Sequence, residues 1–181
     1  MLGKHLYGEW LIPIVDYYRT VKRNEVNYEI VIPLIVAFLA TLFYHNNASL
    51  HPALMKLRDI MPNALAILIG FSITCITILL TSNNANIEKI KQSKTDREID
   101  RKKITIYQWV FIMFVYVLIV QIFLLLFVFF VAFALRLYNE KAFMAALLFC
   151  EVYLTLHILL LLIRNITNFY FIFFKHQNLA Q

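Results

Sequence analysis

Four apolar runs dominate this chain, and each is long enough to cross the hydrocarbon core of a lipid bilayer. They cover approximately residues 29–46, 62–82, 108–135 and 142–163. A core of about 30 Å is crossed by about 20 apolar residues in helical form. Because lipid offers no partner for backbone polar groups, such runs must be helices. The sequence therefore predicts an all-α polytopic fold with four transmembrane helices, and 1–181 as a single membrane domain.

The basic residues are distributed unevenly among the segments that connect these runs. Of the 17 Lys and Arg residues, 13 fall in residues 1–28, 83–107 and 164–181, and four fall in the two other connections. Short loops rich in Lys and Arg stay in the cytoplasm. The sequence therefore predicts that both termini, the loop 83–107 and the tail 164–181 are cytoplasmic.

The N-terminal segment 1–28 has the pattern of a helix that lies along a membrane surface. Trp10, Ile14 and Tyr18 share one helical face, and Pro13 indicates that the helix starts or kinks nearby. We expect an interfacial amphipathic helix anchored by its aromatic side chains. A poorly ordered polar tail is the alternative.

A stripe of small and polar residues follows one face of the second run. Helical spacing places its six members on one arc of roughly 80°. They are Asn63, Gly70, Thr74, Thr77, Thr81 and Asn84. A polar face on a membrane helix needs water or protein beside it, so we predict that these residues line a pore. Close packing of helix against helix is the alternative interpretation.

Three polar residues fall deep inside the third and fourth runs: Gln121, Glu151 and His157. An ionised carboxylate near the midplane costs at least about 2.5–3.5 kcal/mol on insertion scales. Glu151 could line a water-filled path or hold a proton or cation. It could equally be protonated and hydrogen-bonded to Gln121 or to another subunit. His157 fits an interhelical hydrogen bond better than a titrating switch.

The loop 83–107 contains no Gly or Pro and predicts a basic helical hairpin, with Thr95 and Glu98 as a capping box for the next helix. Its seven basic residues suit a nucleotide, an oligonucleotide, a cytoplasmic partner protein or membrane lipid. They are Lys89, Lys91, Lys94, Arg97, Arg101, Lys102 and Lys103. The alternative is that these charges only set the membrane orientation.

The sequence contains no motif that is typical of an enzyme. The sequence has three Gly and two Cys, and it lacks a Gly-rich phosphate loop, a Gly-x-Ser-x-Gly elbow and a Cys/His cluster. We therefore expect no catalytic residues, no metal site and no cofactor.

The run from Asn63 to Ser82, NALAILIGFSITCITILLTS, is followed directly by the charged loop to Lys103. In this architecture the chain resembles the small four-span proteins that act as effectors or accessories in bacterial antiphage defence. The resemblance covers about a quarter of the chain and has no catalytic motif. It implies an inner-membrane channel gated by a partner protein, a nucleotide or an oligonucleotide.

These observations predict a homo-oligomeric membrane channel whose pore is lined by the second run. One four-helix subunit fills its own centre with side chains, so a pore requires a ring of subunits. The alternative is a nonconducting membrane anchor or scaffold whose basic loop recruits a cytoplasmic partner or a nucleic acid.

Overall fold

The computed structural model describes residues 8–46, 50–137 and 140–172. Seven α-helices and one β-hairpin follow one another in this part of the chain. In chain order they are α1 (Ile12–Thr20), α2 (Arg23–Val26), α3 (Ile32–Asn46), α4 (Leu50–Thr81), α5 (Ala85–Gln92), β1 (Lys94–Ile99), β2 (Lys102–Thr105), α6 (Ile106–Leu137) and α7 (Lys141–Tyr170). A 3₁₀ turn at Glu9–Leu11 precedes α1, and a π-helical turn at Asn27–Val31 joins α2 to α3.

Four of the helical stretches are long and apolar enough to cross a membrane, which confirms the predicted polytopic helical fold. They are Arg23–Asn46, Leu50–Thr81, Ile106–Leu137 and Lys141–Tyr170. Every stretch is longer than its apolar run, because polar residues extend the helix without breaking it. The 32 residues of α4 rise about 48 Å, against a hydrocarbon core of about 30 Å.

The described residues form two compact units. Of the described residues, the first unit contains 8–22, 72–117 and 162–172, and the second contains 23–46, 50–71, 118–137 and 140–161. Each unit has its own apolar core. That of the first consists of Cys75, Leu79, Ile87, Ile90, Val110, Phe114 and Ile172. That of the second consists of Leu50, Leu54, Val131, Ala134, Met144, Leu147 and Leu148.

The N-terminal helix α1 contains Pro13 in its first turn, where the missing N–H leaves no helical hydrogen bond unmade. Tyr17 is fully buried and its ring stacks on that of Tyr116, with 3.8 Å between the ring centroids. Trp10 and Tyr18 remain 57% and 50% exposed. The 3₁₀ turn therefore exposes Trp10 and α1 exposes Tyr18, whereas the position of this segment along a membrane surface stays a prediction. Residues 1–7 lie outside the described residues.

The predicted helical hairpin in 83–107 is wrong. Before α6 begins at Ile106, only α5 is helical, and β1 pairs with β2 as an antiparallel hairpin. Asp100 and Arg101 turn the chain with positive φ angles of 49° and 65°, as a two-residue hairpin loop requires. Thr95 caps no helix, because its hydroxyl donates to the Ile104 carbonyl across the hairpin at 2.9 Å.

Candidate functional site

The residues of the predicted stripe on α4 are exposed among the described residues. Asn63, Gly70, Thr74, Thr77 and Thr81 are all exposed. The buried residues of this helix lie about 180° away, by the 100° advance per residue. They are Leu50, Leu54, Met61, Leu65, Ser72, Cys75 and Leu79. Among the described residues, the stripe therefore lies on the side of α4 opposite to the side that packs.

Asn84 does not belong to this helical face. The helix α4 ends at Thr81, and Asn84 has the extended backbone of an N-cap residue. Its side-chain Oδ1 accepts a hydrogen bond from the Asn86 backbone N–H at 3.0 Å, which starts α5. The face on α4 therefore has five of the six predicted members and narrows to about 60°.

The hydroxyl groups of the stripe are directed along their own helix. Thr77 Oγ1 donates to the Ile73 carbonyl at 2.9 Å, and Thr81 Oγ1 donates to the Thr77 carbonyl at 2.8 Å. Each oxygen keeps lone pairs that can accept from water or face a cation. A Cβ at Gly70 would have no atom of the described chain within 4 Å apart from its chain neighbours and the backbone of its own helix. The surface is thus smooth, small and rich in hydroxyl oxygens.

The flanks of the stripe are apolar. Ile67, Ile73 and Leu80 are 72%, 50% and 59% exposed on either side of it. Lys56 and Asp59 are also exposed, and helical spacing puts them on the same arc as the stripe, toward the start of α4. Sequence reasoning missed these two charges because it placed residues 47–61 in a loop. They extend the polar face by two further turns.

Glu151 is enclosed within the second unit and does not reach the surface. Its side chain is 1% exposed, and neither carboxylate oxygen has a hydrogen-bond partner among the described residues. Gln121 is fully buried in the same unit, but the predicted hydrogen bond between the two is not formed. Thr155, one turn further on, donates to the Glu151 backbone carbonyl at 2.6 Å. Glu151 therefore lies on no exposed face of its unit.

His157 forms an interhelical hydrogen bond to the backbone carbonyl of Glu29, which lies in the π-helical turn Asn27–Val31. His157 Nδ1 lies 2.6 Å from that carbonyl oxygen. Because a carbonyl only accepts, the imidazole donates from Nδ1. Pro33, which has no N–H, follows this turn and was a signal in the sequence that its backbone hydrogen bonding is irregular.

The seven basic residues of segment 83–107 have different surroundings. Arg97 is half-buried, donates to the Thr20 backbone carbonyl and lies over the Trp109 ring at 4.3 Å. Lys91 pairs with Glu88 at 2.7 Å, which raises the pKa of its ammonium group. The other five are exposed and make no salt bridge with any described residue. They are Lys89, Lys94, Arg101, Lys102 and Lys103.

Comparison with known proteins adds no relative to this picture. No known protein family, no curated protein and no solved structure matches this chain. In residues 8–46, 50–137 and 140–172, no three His, Cys, Asp or Glu side chains lie close enough together to hold a metal ion. The exposed face of α4 and the basic segment are therefore the two surfaces from which a function can be inferred.

Proposed function

We propose that copies of this chain assemble around an axis lined by the exposed face of α4 and conduct ions across a membrane. The observation that carries the proposal is the exposure of Asn63, Gly70, Thr74, Thr77 and Thr81 directly opposite the buried face of the same helix. A small, hydroxyl-rich face that the described residues leave exposed gains most from water or from a second subunit.

A ring of subunits would turn each threonine into a ring of hydroxyl oxygens. Such a lining carries no net charge and offers acceptors to a cation as it sheds water, so the pore would be neutral to cation-preferring. Lys56 and Asp59 would stand at one mouth of it. Glu151 would support the second unit from inside instead of forming an acidic ring, since its own chain encloses it.

We propose that the basic segment 83–107 gates this pore. Its exposed lysines and Arg101 would receive a cytoplasmic partner, a nucleotide or an oligonucleotide, with both termini in the cytoplasm. In that role the chain would act in the bacterial inner membrane as a depolarising effector of antiphage defence, as its four-span architecture suggests.

The proposal is tested by single-channel recording in planar bilayers with purified protein, with and without nucleotides and oligonucleotides. We expect discrete currents from the wild type and none from Thr77→Trp, because the indole would fill the axis. Leu80→Trp is the matched control: it adds an aromatic ring one turn along, on the apolar flank, and should conduct. Mass measurement must first show that the three proteins form the same oligomer.

A nonconducting membrane anchor is the second candidate, and the exposed charges of the hairpin favour it. Four of the five unpaired basic residues, Lys94, Arg101, Lys102 and Lys103, lie on β1, β2 and their turn, where a partner could reach them. Silence of the wild type under every condition, together with capture of a partner that is lost on Lys94→Glu and Arg101→Glu, would favour the anchor.

A further inference from the structure

A cavity of about 460 Å³ lies in the first unit, where β2 meets the start of α6 and the N-terminal helix α1. Its volume falls in the range of small-molecule sites, about 300–1,000 Å³. Lys102 and Lys103 line it on the hairpin, Asp16 lines it on α1, and Phe111 and Ile112 line it on α6. All of these residues belong to one compact unit.

Polar and apolar walls follow one another along this cavity in a definite order. The lysines precede α6, which begins at Ile106, whereas Ile112 is about 9 Å further along the helix. Phe111 and Ile112 are half-buried and belong to the membrane-crossing stretch. Ile104, which is 6% exposed, follows the lysines in the sequence and also lines the cavity. A phospholipid has the same order, a charged phosphate followed by an apolar chain.

The net charge of the residues that line the cavity favours an anion with a single negative charge. The two ammonium groups make no salt bridge with a described residue, and Asp16 is the one acidic residue among the lining side chains. The sum is about one positive charge, which matches the single negative charge of a phosphodiester. A nucleotide with several negative charges would find too few cations in this lining.

We propose that this cavity binds one anionic phospholipid, with its phosphodiester at Lys102 and Lys103 and an acyl chain along Ile104, Phe111 and Ile112. Basic pockets beside membrane helices are a recurring way of recognising such headgroups. The bound lipid would tie the hairpin to the end of the α6 span. The inference does not depend on conduction, so it can fail or succeed separately from the pore.

Native mass spectrometry of the full chain in detergent tests the proposal, with phosphatidylglycerol and phosphatidylcholine titrated separately. We expect one phosphatidylglycerol bound per chain, in preference to phosphatidylcholine. The double variant Lys102→Gln/Lys103→Gln should weaken phosphatidylglycerol binding about 10- to 30-fold, because each of the two lysines strengthens the binding of an anionic lipid by a similar factor. Lys102→Arg/Lys103→Arg should retain binding, which separates loss of charge from misfolding.

The matched control is Lys89→Gln/Lys94→Gln, which removes the same charge from the same segment outside the cavity lining. It should leave binding unchanged. An equal loss in both double variants would show general attraction to basic residues and overturn the site. Displacement of the lipid by millimolar inorganic phosphate or glycerol phosphate would also overturn it, because the ligand would then be a free phosphate.

Discussion

The α4 and α7 helices both contain polar residues within apolar sequence, but those of α7 are buried and those of α4 are exposed. On α7, Glu151 and His157 are 1% and 2% exposed and are enclosed by their own unit. On α4, Thr74 and Thr77 are exposed, with the buried face of the helix on the other side. Enclosed polar groups fix the packing of one chain, whereas exposed ones in a membrane require a partner outside it. Function is therefore expected on α4 and stability on α7.

The largest expected effect compares the two faces of α4. Leu79 is 1% exposed in the core of the first unit, so Leu79→Ala should lower the free energy of unfolding by about 2–5 kcal/mol through the cavity it leaves. Thr77→Ala, two positions away, should change it by less than about 0.5 kcal/mol. Reversible unfolding in detergent measures both. Equal losses would mean that the stripe is a packing face after all.

On α7, the contact between His157 and the Glu29 carbonyl can be isolated with a double-mutant cycle. His157→Phe keeps a ring beside Tyr153, with which His157 stacks, but removes the hydrogen bond to the Glu29 carbonyl, at a cost of about 0.5–1.5 kcal/mol. Pro33→Ala restores a backbone N–H near that carbonyl. In its presence we expect His157→Phe to cost about 1 kcal/mol less. Strict additivity would show that the hydrogen bond does not compensate for the proline.

Arg97 and Arg101 of the hairpin show a similar contrast, because Arg97 contacts Trp109 and Thr20 whereas Arg101 is exposed. Arg97→Lys should cost about 1 kcal/mol, because lysine reproduces neither the planar contact with Trp109 nor the geometry of the bond to Thr20. Arg101→Lys, on the exposed turn, is the control. Hydrogen exchange of residues 94–105 gives the readout. Faster exchange in Arg97→Lys alone is expected, and identical exchange would remove Arg97 from the packing.

The smallest expected effect concerns Asp16, whose side chain is neither fully buried nor fully exposed. Burial raises the pKa of its carboxyl group, partly offset by Arg19 and reinforced by Asp100. A raised pKa means that the folded state binds the proton more tightly, so ionised Asp16 destabilises the fold slightly at neutral pH. Asp16→Asn should therefore be slightly more stable at pH 7. The advantage should vanish below the ordinary carboxyl range, and an advantage that persists in acid would exclude ionisation as the cause.

The sequence predicted the four membrane-crossing helices because long apolar runs leave the backbone no other solution. It could not predict the β-hairpin. Thr95, Ile99 and Ile104 are β-branched and compatible with a strand, but the pairing depends on positive φ angles at Asp100 and on contacts such as that of Arg97 with Trp109. Such contacts join residues that are distant in sequence or depend on a turn that local helix propensity does not reveal.

The residues that share the candidate site could be predicted from the sequence, but the residues that pack around them could not. Helical spacing put Thr74 and Thr77 on one face, which is a local property of a helix. Whether that face meets its own chain depends on where α6 and α7 pack, and periodicity carries no such information. The same limit applies to Glu151, whose position along α7 was clear although its enclosure was not.

Cysteine accessibility tests the central claim, a water-filled axis at the exposed face of α4, most directly. In a background of Cys75→Ala and Cys150→Ala, Thr77→Cys and Leu80→Cys would each be exposed to a charged, membrane-impermeant thiol reagent in reconstituted vesicles. The thiolate that reacts forms only in water. The account predicts modification of Thr77→Cys together with loss of current, and no modification of Leu80→Cys in lipid. An unreactive Thr77→Cys, or equal reaction at both positions, would contradict it.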